Sequence, residues 1–264
     1  MSCGFSLLAD NRVQDATITS TVAPVSADLG LENLKNANRS EVCRFSGSTN
    51  IDIDIAVACL SDIIIAGSTI RSGTITAEIY DGAQLVETHD VPIKFPIPFC
   101  EFKIGTDAPC DTVSVENNNL FLHLENKPTF SKVRLKINTT EPFDLRHILI
   151  GNRVYFDGND TLGNTFKVQH SGGTVYSASG GILKSKRSLK AREYSVSKTN
   201  MSQGDVMTLI KLLAEFGERP WFLWGKSVEN LLSDQHNFLC KPDEMTFTNN
   251  QYSVYETPFK FMEV

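Results

Sequence analysis

Strict alternation of apolar and polar residues is the feature that most constrains how this chain can fold. In the run Ile51–Val57, every second residue is β-branched and apolar, and the residues between are aspartate or alanine. A period of two is that of a strand with one face in a core and the other in water. Similar runs recur at Ile75–Ile79, Leu120–Leu124 and Val133–Ile137, separated by Asn, Gly, Asp or Pro clusters. Several such strands without a strong helix among them predict an antiparallel β-sandwich.

The chain changes character after the turn residues between Asp157 and Gly163. The clearest helix runs from Ser202 to Phe216, where Ser202 or Asp205 can cap the start and Gly217 suits the end. Apolar residues at helical spacing predict one buried face: Val206, Leu209, Ile210, Leu213 and Phe216. Strands are predicted at 165–170, 174–178, 192–199, 221–224 and 258–264, and a short second helix at 227–232. The sequence therefore predicts a mainly β fold, with a β-sandwich domain over 1–158 and an α+β domain over 159–264.

Length and composition narrow the class of protein further. The chain has 264 residues, of which 41% are apolar and 21% charged, enough to form a core without metal or disulfide support. No run approaches 18 consecutive apolar residues, so we expect no membrane span. The first ten residues lack the basic region of a signal peptide, so we expect the chain to stay in the cell that makes it.

Charge is distributed unevenly along the chain. Residues 1–158 carry 13 basic and 20 acidic side chains, whereas residues 159–264 carry 12 and 11. Phosphate contacts need clustered Lys and Arg. The acidic first half therefore argues against sequence-specific nucleic-acid binding.

The cysteines show neither a zinc pattern nor a clear disulfide framework. They are Cys3, Cys43, Cys59, Cys100, Cys110 and Cys240, and none forms a C-x-x-C pair. Cys100 and Cys110 are close enough in sequence to bridge a loop, but thiols in a chain without an export signal are usually reduced. We expect free, mostly buried thiols.

No motif supports catalysis, a cofactor or a metal. Gly225-Lys226-Ser227 resembles the end of a phosphate-binding loop, but the loop pattern requires glycine where the chain has Pro220. The G-x-S-x-G pentapeptide of α/β-hydrolases is absent. The five histidines show no H-E-x-x-H spacing, and His236 with Cys240 would supply only two metal ligands. We expect no catalytic, cofactor-binding or metal-binding residues, and no enzyme activity.

Asp52 and Asp54 come nearest to a catalytic arrangement. They lie on one face of a strand about 6.6 Å apart, a separation that permits glycoside hydrolysis. Nothing nearby in the sequence would raise the pKa of one carboxyl, as an acid catalyst requires. Aspartates alternating with isoleucines are more typical of a solvent-exposed sheet face, and we favour that interpretation.

One basic segment is a candidate interaction surface. Five positive charges fall within nine residues: Lys184, Lys186, Arg187, Lys190 and Arg192. Such a segment can contact an acidic partner or a phosphate. The more ordinary explanation is a solvated hairpin edge, whose charge prevents pairing with other strands.

The order of these patterns resembles that of tail-tip (distal tail or minor tail) proteins of long non-contractile-tailed bacteriophages. Their galactose-binding-like jelly roll is similar to seven stretches here: Leu31–Leu34, Arg39–Val42, Arg44–Phe45, Ile51–Val57, Asp62–Ala66, Val133–Ile137 and Phe143–Gly151. The helix between Gly204 and Gly217, followed by the run Arg219–Trp224, resembles the split-barrel domain that builds tail rings and hubs. Cys43 departs from the family, which frequently has Trp there. The C-terminal end offers only Cys240, so no iron–sulfur cluster is expected.

The resemblance implies a structural protein of the virion tail tip, present in the host cytoplasm during assembly. Its partners would be other tail-tip and tail-tube proteins, and its own copies would form a ring of three or six. Such a ring would connect the tail tube to the distal receptor-binding hub, and exposed strand edges suit such assembly. The alternative is a carbohydrate-binding sandwich that contacts host surface glycan, and an enzyme is the third class.

Overall fold

The computed structural model contains two compact units. The sandwich unit is Asn11–Asn152, and the C-terminal unit combines Met1–Asp10 with Arg153–Val264. The structure describes residues 5–35, 41–93, 118–156, 165–171, 175–176, 182–183, 189–224, 237–245, 248–251 and 254–263.

Ten strands form the sandwich unit in the described part of the chain. They are β2 (Thr17–Ser20), β3 (Cys43–Phe45), β4 (Thr49–Cys59), β5 (Asp62–Ser68), β6 (Thr74–Asp81), β7 (Gln84–Val91), β8 (Asn118–His123), β9 (Thr129–Asn138), β10 (Phe143–Leu145) and β11 (His147–Gly151). All pairings are antiparallel, in sheets of order β2-β4-β9-β6-β7, β11-β5-β8 and β10-β3. Short 3-10 helices span Arg12–Asp15, Ala27–Leu29 and Leu31–Leu34.

The alternation read from the sequence fills the core of this unit. Ile51 and Ile53 of β4 are fully buried, and they share one apolar cluster with Ile63 of β5 and Ile148 of β11. The five-stranded and three-stranded sheets therefore contribute side chains to the same core, which is the arrangement of a β-sandwich. The predicted strands at 51–57, 75–79, 120–124 and 133–137 correspond to β4, β6, β8 and β9.

The C-terminal unit is built around one antiparallel sheet. Its strands are β1 (Phe5–Leu8), β12 (Val154–Phe156), β13 (Thr165–Ser171), β14 (Val175–Tyr176), β15 (Ile182–Leu183), β16 (Leu189–Ser202), β17 (Trp221–Trp224), β18 (Asn237–Met245), β19 (Thr248–Gln251) and β20 (Val254–Glu263). The main sheet has the order β12-β1-β17-β18-β20-β16-β13, with β19 on β20, and β14 pairs separately with β15. The helix α1 (Gln203–Phe216) completes an α+β unit. The predicted fold class, a mainly β chain with a sandwich followed by an α+β region, is confirmed.

The ends of α1 are formed by the residues that the sequence indicated. The Ser202 hydroxyl accepts a hydrogen bond from the Asp205 backbone N–H at 3.1 Å, which satisfies one free donor of the first turn. Gly217 follows the last turn with a right-handed φ of −60°. A side chain there would approach the Leu213 carbonyl oxygen to 2.4 Å. Close backbone approach, not a left-handed conformation, is therefore the reason for this glycine.

One residue of the predicted helix face is placed differently. Val206 and Leu209 are buried in the core of the C-terminal unit, and Leu213 and Phe216 pack partly against it. Ile210 is 42% exposed. The buried stripe is thus narrower than the spacing predicted.

Strand β1, although first in the sequence, belongs to the core of the C-terminal unit. β1 pairs with β12 and β17, and Phe5 and Leu7 are buried in the C-terminal unit. The predicted domains, 1–158 and 159–264, differ from this division at β1 and at 153–158.

Other predictions are only partly covered by the described residues. Cys43 and Cys240 are free and buried, whereas Cys59 is free and exposed. Cys3, Cys100, Cys110 and the predicted helix at 227–232 lie outside the described residues. Within the described part of the chain, no helix is long and apolar enough to cross a membrane.

Candidate functional site

The outer side of the five-stranded sheet carries a dense set of polar side chains. Because inward residues of β4, β6 and β9 are apolar, their neighbours all point to the opposite side of the sheet. We call this surface the polar sheet face, and it comprises Asp52, Asp54, Thr76, Glu78, Tyr80, Lys132, Arg134 and Lys136.

Strand register places opposite charges side by side. Asp52 of β4 lies opposite Arg134 of the central strand β9, and Arg134 lies opposite Glu78 of β6. The Arg134 guanidinium donates two hydrogen bonds to Asp52, from Nε to Oδ1 at 2.6 Å and from Nη2 to Oδ2 at 2.9 Å. This two-point contact fixes both side chains in one plane.

The lysines of β9 extend the network in both directions. Lys132 Nζ lies 3.3 Å from Asp52 Oδ2 and 3.6 Å from Asp54 Oδ1. Lys136 forms an ion pair with Glu78. Each cation of β9 therefore contacts a carboxylate on a neighbouring strand.

Tyr80 adds the one aromatic ring of this face. Its hydroxyl donates to Glu78 Oε2 at 2.7 Å, and the Arg134 guanidinium lies 5.5 Å from the ring centroid. The ring is thus held by a hydrogen bond at its tip and a cation over its face.

These contacts keep the acidic groups ionised. The hydrogen bond from Arg134 is the main cause that lowers the pKa of Asp52 below its usual value. The hydrogen bond from Lys136 lowers the pKa of Glu78 in the same way, and donation to Glu78 raises the pKa of Tyr80. The eight residues of the face comprise three basic and three acidic side chains, and Asp90 of β7, which accepts a hydrogen bond from Thr76, adds one acidic side chain at its margin.

The surroundings of Asp52 do not favour the role of a catalytic acid. A catalytic acid needs a raised pKa, and that of Asp52 is lowered. Both aspartates are bound to Lys132. The predicted solvent-exposed face applies to Asp54, whose side chain is 50% exposed, whereas that of Asp52 is 19% exposed beneath its ion pairs. Ile51 and Ile53 are buried on the other side of the sheet.

A second polar cluster lies between β5 and β8. The Asp62 side chain is 1% exposed, and its Oδ1 lies 3.1 Å from His123 Nδ1. The Ser61 hydroxyl donates to Asp62 Oδ2 at 2.6 Å, so serine and histidine contact the same carboxylate. This is not the order of a serine–histidine–aspartate triad. Among the described residues, no group of three or more His, Cys, Asp or Glu side chains is placed to hold a metal ion.

The basic segment is only partly placed. Lys190 and Arg192 belong to β16, opposite His170 and Val168 of β13. The other members, Lys184, Lys186 and Arg187, lie outside the described residues. The segment remains a predicted interaction surface.

Sequence reasoning found Asp52 and Asp54 but not the cations that bind them. The sequence feature that could have indicated these cations is the alternation of Lys132, Arg134 and Lys136 along β9. It has the same period of two as the aspartates of β4. Pairing these two strands would have brought opposite charges together. Only their register, which the sequence does not state, assigns Arg134 to Asp52.

Comparison with known proteins identified similar solved structures, but no matching family model or curated protein. The chain is similar to a fucose-binding module of Streptococcus pneumoniae (10% identity, 53% of this chain and 94% of that one, TM-score 0.36). It is similar to chitosan-binding module 1 of a chitosanase/glucanase from Paenibacillus sp. IK-5 (9%, 53% and 97%, TM-score 0.36). It is also similar to a fucolectin from striped bass, Morone saxatilis, serum (9%, 96% and 98%, TM-score 0.37).

Identities near 10% and TM-scores below 0.5 assign neither a family nor a ligand to this chain. The class of protein is therefore defined by the strand pairings themselves. It is a mainly β protein with an antiparallel sandwich and a separate α+β unit.

Proposed function

We propose that this chain is a non-enzymatic binding protein whose sandwich unit recognises neutral carbohydrate through the polar sheet face. The observation that carries the proposal is that each of the three cations beside Tyr80 is paired with a carboxylate, so no cation of β9 is left to attract an anionic ligand. An anionic or cationic ligand would favour a surface with excess opposite charge. Sugar hydroxyls both donate and accept hydrogen bonds, so they suit a surface that offers both in fixed positions.

The electrostatics of the polar sheet face support the non-enzymatic part of the proposal. Cleavage of a glycosidic bond requires a protonated carboxyl beside an ionised one. Lowered pKa values of Asp52 and Glu78 leave both without a proton at neutral pH. We therefore propose binding without bond cleavage.

Arg134 is the residue to change in a first test. We expect Arg134→Gln to weaken sugar binding about tenfold, because it removes the two-point contact that orients Asp52 and a charged donor from the centre of the face. Isothermal titration of the full chain with L-fucose, D-galactose and chitotriose gives the dissociation constants. Release of reducing sugar in the same samples would overturn the non-enzymatic part of the proposal.

A matched control is Lys211→Gln on α1, which removes one positive charge from an exposed position of the other unit. It should leave the dissociation constants unchanged. Failure of the wild-type chain to bind any of the sugars, or equal binding by Arg134→Gln, would contradict the proposal.

A second candidate function is a structural role in a virion tail tip, through assembly of copies of this chain. The observation that favours it is an exposed apolar pair on α1, Met207 at 48% and Ile210 at 42% exposure, three residues apart on the helix. Both residues lie in the 159–264 region that the resemblance associates with ring formation. Under this candidate function, copies of the chain would form a ring of three or six and would contact other tail-tip and tail-tube proteins.

Assembly can be tested with one charge placed in the apolar pair. We expect the full chain to have a multiple of its monomer mass by light scattering, and Ile210→Glu to raise the dissociation constant of the assembly about tenfold or more, because burial of a charge is costly. Lys211→Glu, next to it but already polar, is the control. A wild-type chain that stays monomeric at high concentration would rule this candidate out.

A further inference from the structure

A cluster of aromatic rings and one guanidinium lies on the sheet of the C-terminal unit. Tyr155 of the edge strand β12 pairs with Ser6 of β1, and Ser6 pairs with Trp224 of β17. The three residues therefore form one row across three strands, with their side chains on the same face. Phe5 and Phe156, from the other face, belong to the core.

Arg153 joins the two rings of this row. Its guanidinium carbon lies 3.8 Å from the Trp224 ring centroid and 5.8 Å from that of Tyr155. Its Nη1 donates to the Tyr155 hydroxyl at 3.4 Å. A guanidinium stacked on indole at this distance is a favourable cation–π contact. We call Arg153, Tyr155 and Trp224 the aromatic platform.

Tyr155 is the member that faces solvent. Tyr155 is 59% exposed to solvent, whereas Trp224 is half-buried. An aromatic side chain loses few rotatable bonds on binding, so a ring that is already fixed binds at low entropic cost. The hydrogen bond from Arg153 provides that fixation.

The chemistry of the platform selects one class of ligand. A cationic ligand would meet the positive charge of Arg153 beside both rings. A pyranose offers an apolar face of C–H groups to a ring and hydroxyls around its rim, which match an aromatic ring with polar neighbours. We propose that the C-terminal unit carries a second sugar site, in which one pyranose of a glycan without positive charge stacks on Tyr155. This inference extends the proposed carbohydrate function to a site outside the sandwich unit.

The platform contains its own spectroscopic reporter. The chain has two tryptophans, and Trp221 is completely buried, whereas Trp224 lies in the platform. Sugar bound beside Trp224 should change tryptophan emission, and sugar bound only to the polar sheet face should not. Arg153 acts as a positioning residue in this arrangement.

The test is a fluorescence titration of the full chain with chitotriose, L-fucose and D-galactose. We expect an emission change in the wild type and in Arg134→Gln, its loss in Trp224→Phe, and about tenfold weaker binding in Tyr155→Ala. Tyr155→Phe keeps the ring and should retain binding within about threefold, since only the hydroxyl contact to Arg153 is lost.

Failure of this inference is distinguishable from failure of the proposed function. Calorimetric binding that Arg134→Gln abolishes, together with silent tryptophan emission, would overturn the second site and leave the sandwich site standing. An emission change equal in Tyr155→Ala would also overturn it. A loss of self-association in Tyr155→Ala without any sugar response would identify the platform as a protein contact, and silence in both assays would overturn both proposals.

Discussion

Gly73→Ala should be among the most destabilising single substitutions in this chain, with a loss of roughly 3 to 4 kcal/mol in the free energy of unfolding. Gly73 precedes β6 with a φ of +102°, which side chains rarely adopt. A Cβ atom there would lie 2.0 Å from the Asn138 carbonyl oxygen and 3.2 Å from the Thr139 Cα. Both contacts are with backbone at the end of β9, so no side chain can rotate away to relieve them.

Gly82 offers a matched control in the turn between β6 and β7. Its φ is +59°, but a Cβ atom there would meet nothing within 4 Å. Gly82→Ala should therefore cost only the left-handed conformation, about 1 kcal/mol. Urea denaturation of the three proteins measures the difference. Equal losses for the two variants would show that backbone conformation, and not the contact with Asn138, determines the cost at residue 73.

The local elements of this fold could be predicted because each is specified by neighbouring residues. The alternation from Ile51 to Val57 requires only that one face of a strand be buried, and β4 over Thr49–Cys59 buries Ile51, Ile53 and Ile55. Val57 departs from it at 65% exposure, where the pairing with β9 shifts register. The start of α1 was found because Ser202 supplies its own cap within three residues of chain. In both cases the physical cause lies within one turn or one strand.

Placement of β1 depends on residues far away in sequence. Phe5–Leu8 pairs with strands that begin at Val154 and Trp221. Nothing in the four residues of β1 distinguishes these partners from the nearer strands of the sandwich unit. A boundary read from composition along the chain cannot include a pairing between residues so far apart in sequence.

The two candidate sites show the same limit. Asp52 and Asp54 were visible as an exposed pair, but their partners depend on the register of β4 against β9, where the pairing shifts between Asp54 and Ala58. In the aromatic platform, Tyr155 and Trp224 are joined through Ser6. Both tryptophans, Trp221 and Trp224, fall outside the sandwich unit.

Ile210 illustrates how helical spacing can overestimate a buried face. Its position fits the stripe of Val206 and Leu209, yet those two residues are buried and Ile210 is not. A helix that packs on a sheet from one side buries a narrow stripe, and residues at its margin stay open. Ile210 carries the test of assembly because it forms an exposed apolar pair with Met207.

The protein should also become sharply less stable in mild acid, through His147. This residue of β11 is 5% exposed, and its Nε2 is buried without a hydrogen-bond partner. Burial, with a smaller contribution from the charge of Arg146, lowers its pKa from 6.5 to about 4. The folded state therefore resists protonation at a pH where the unfolded chain accepts the proton.

The sign follows from this lowered pKa. The contribution of the neutral imidazole to the free energy of unfolding is fully present above pH 6.5 and is lost as the pH falls toward 4. At about 1.4 kcal/mol per pKa unit, the loss is about 3 kcal/mol. Most of the loss precedes that from Asp52 and Glu78, whose lowered pKa values make their contributions disappear only at more acidic pH. We expect urea midpoints between pH 7 and 4.5 to fall steeply in the wild type and much less in His147→Leu. The comparison is between the slopes of urea midpoint against pH, so any constant effect of leucine on stability cancels. Parallel slopes for the two proteins would show that His147 does not cause the acid sensitivity.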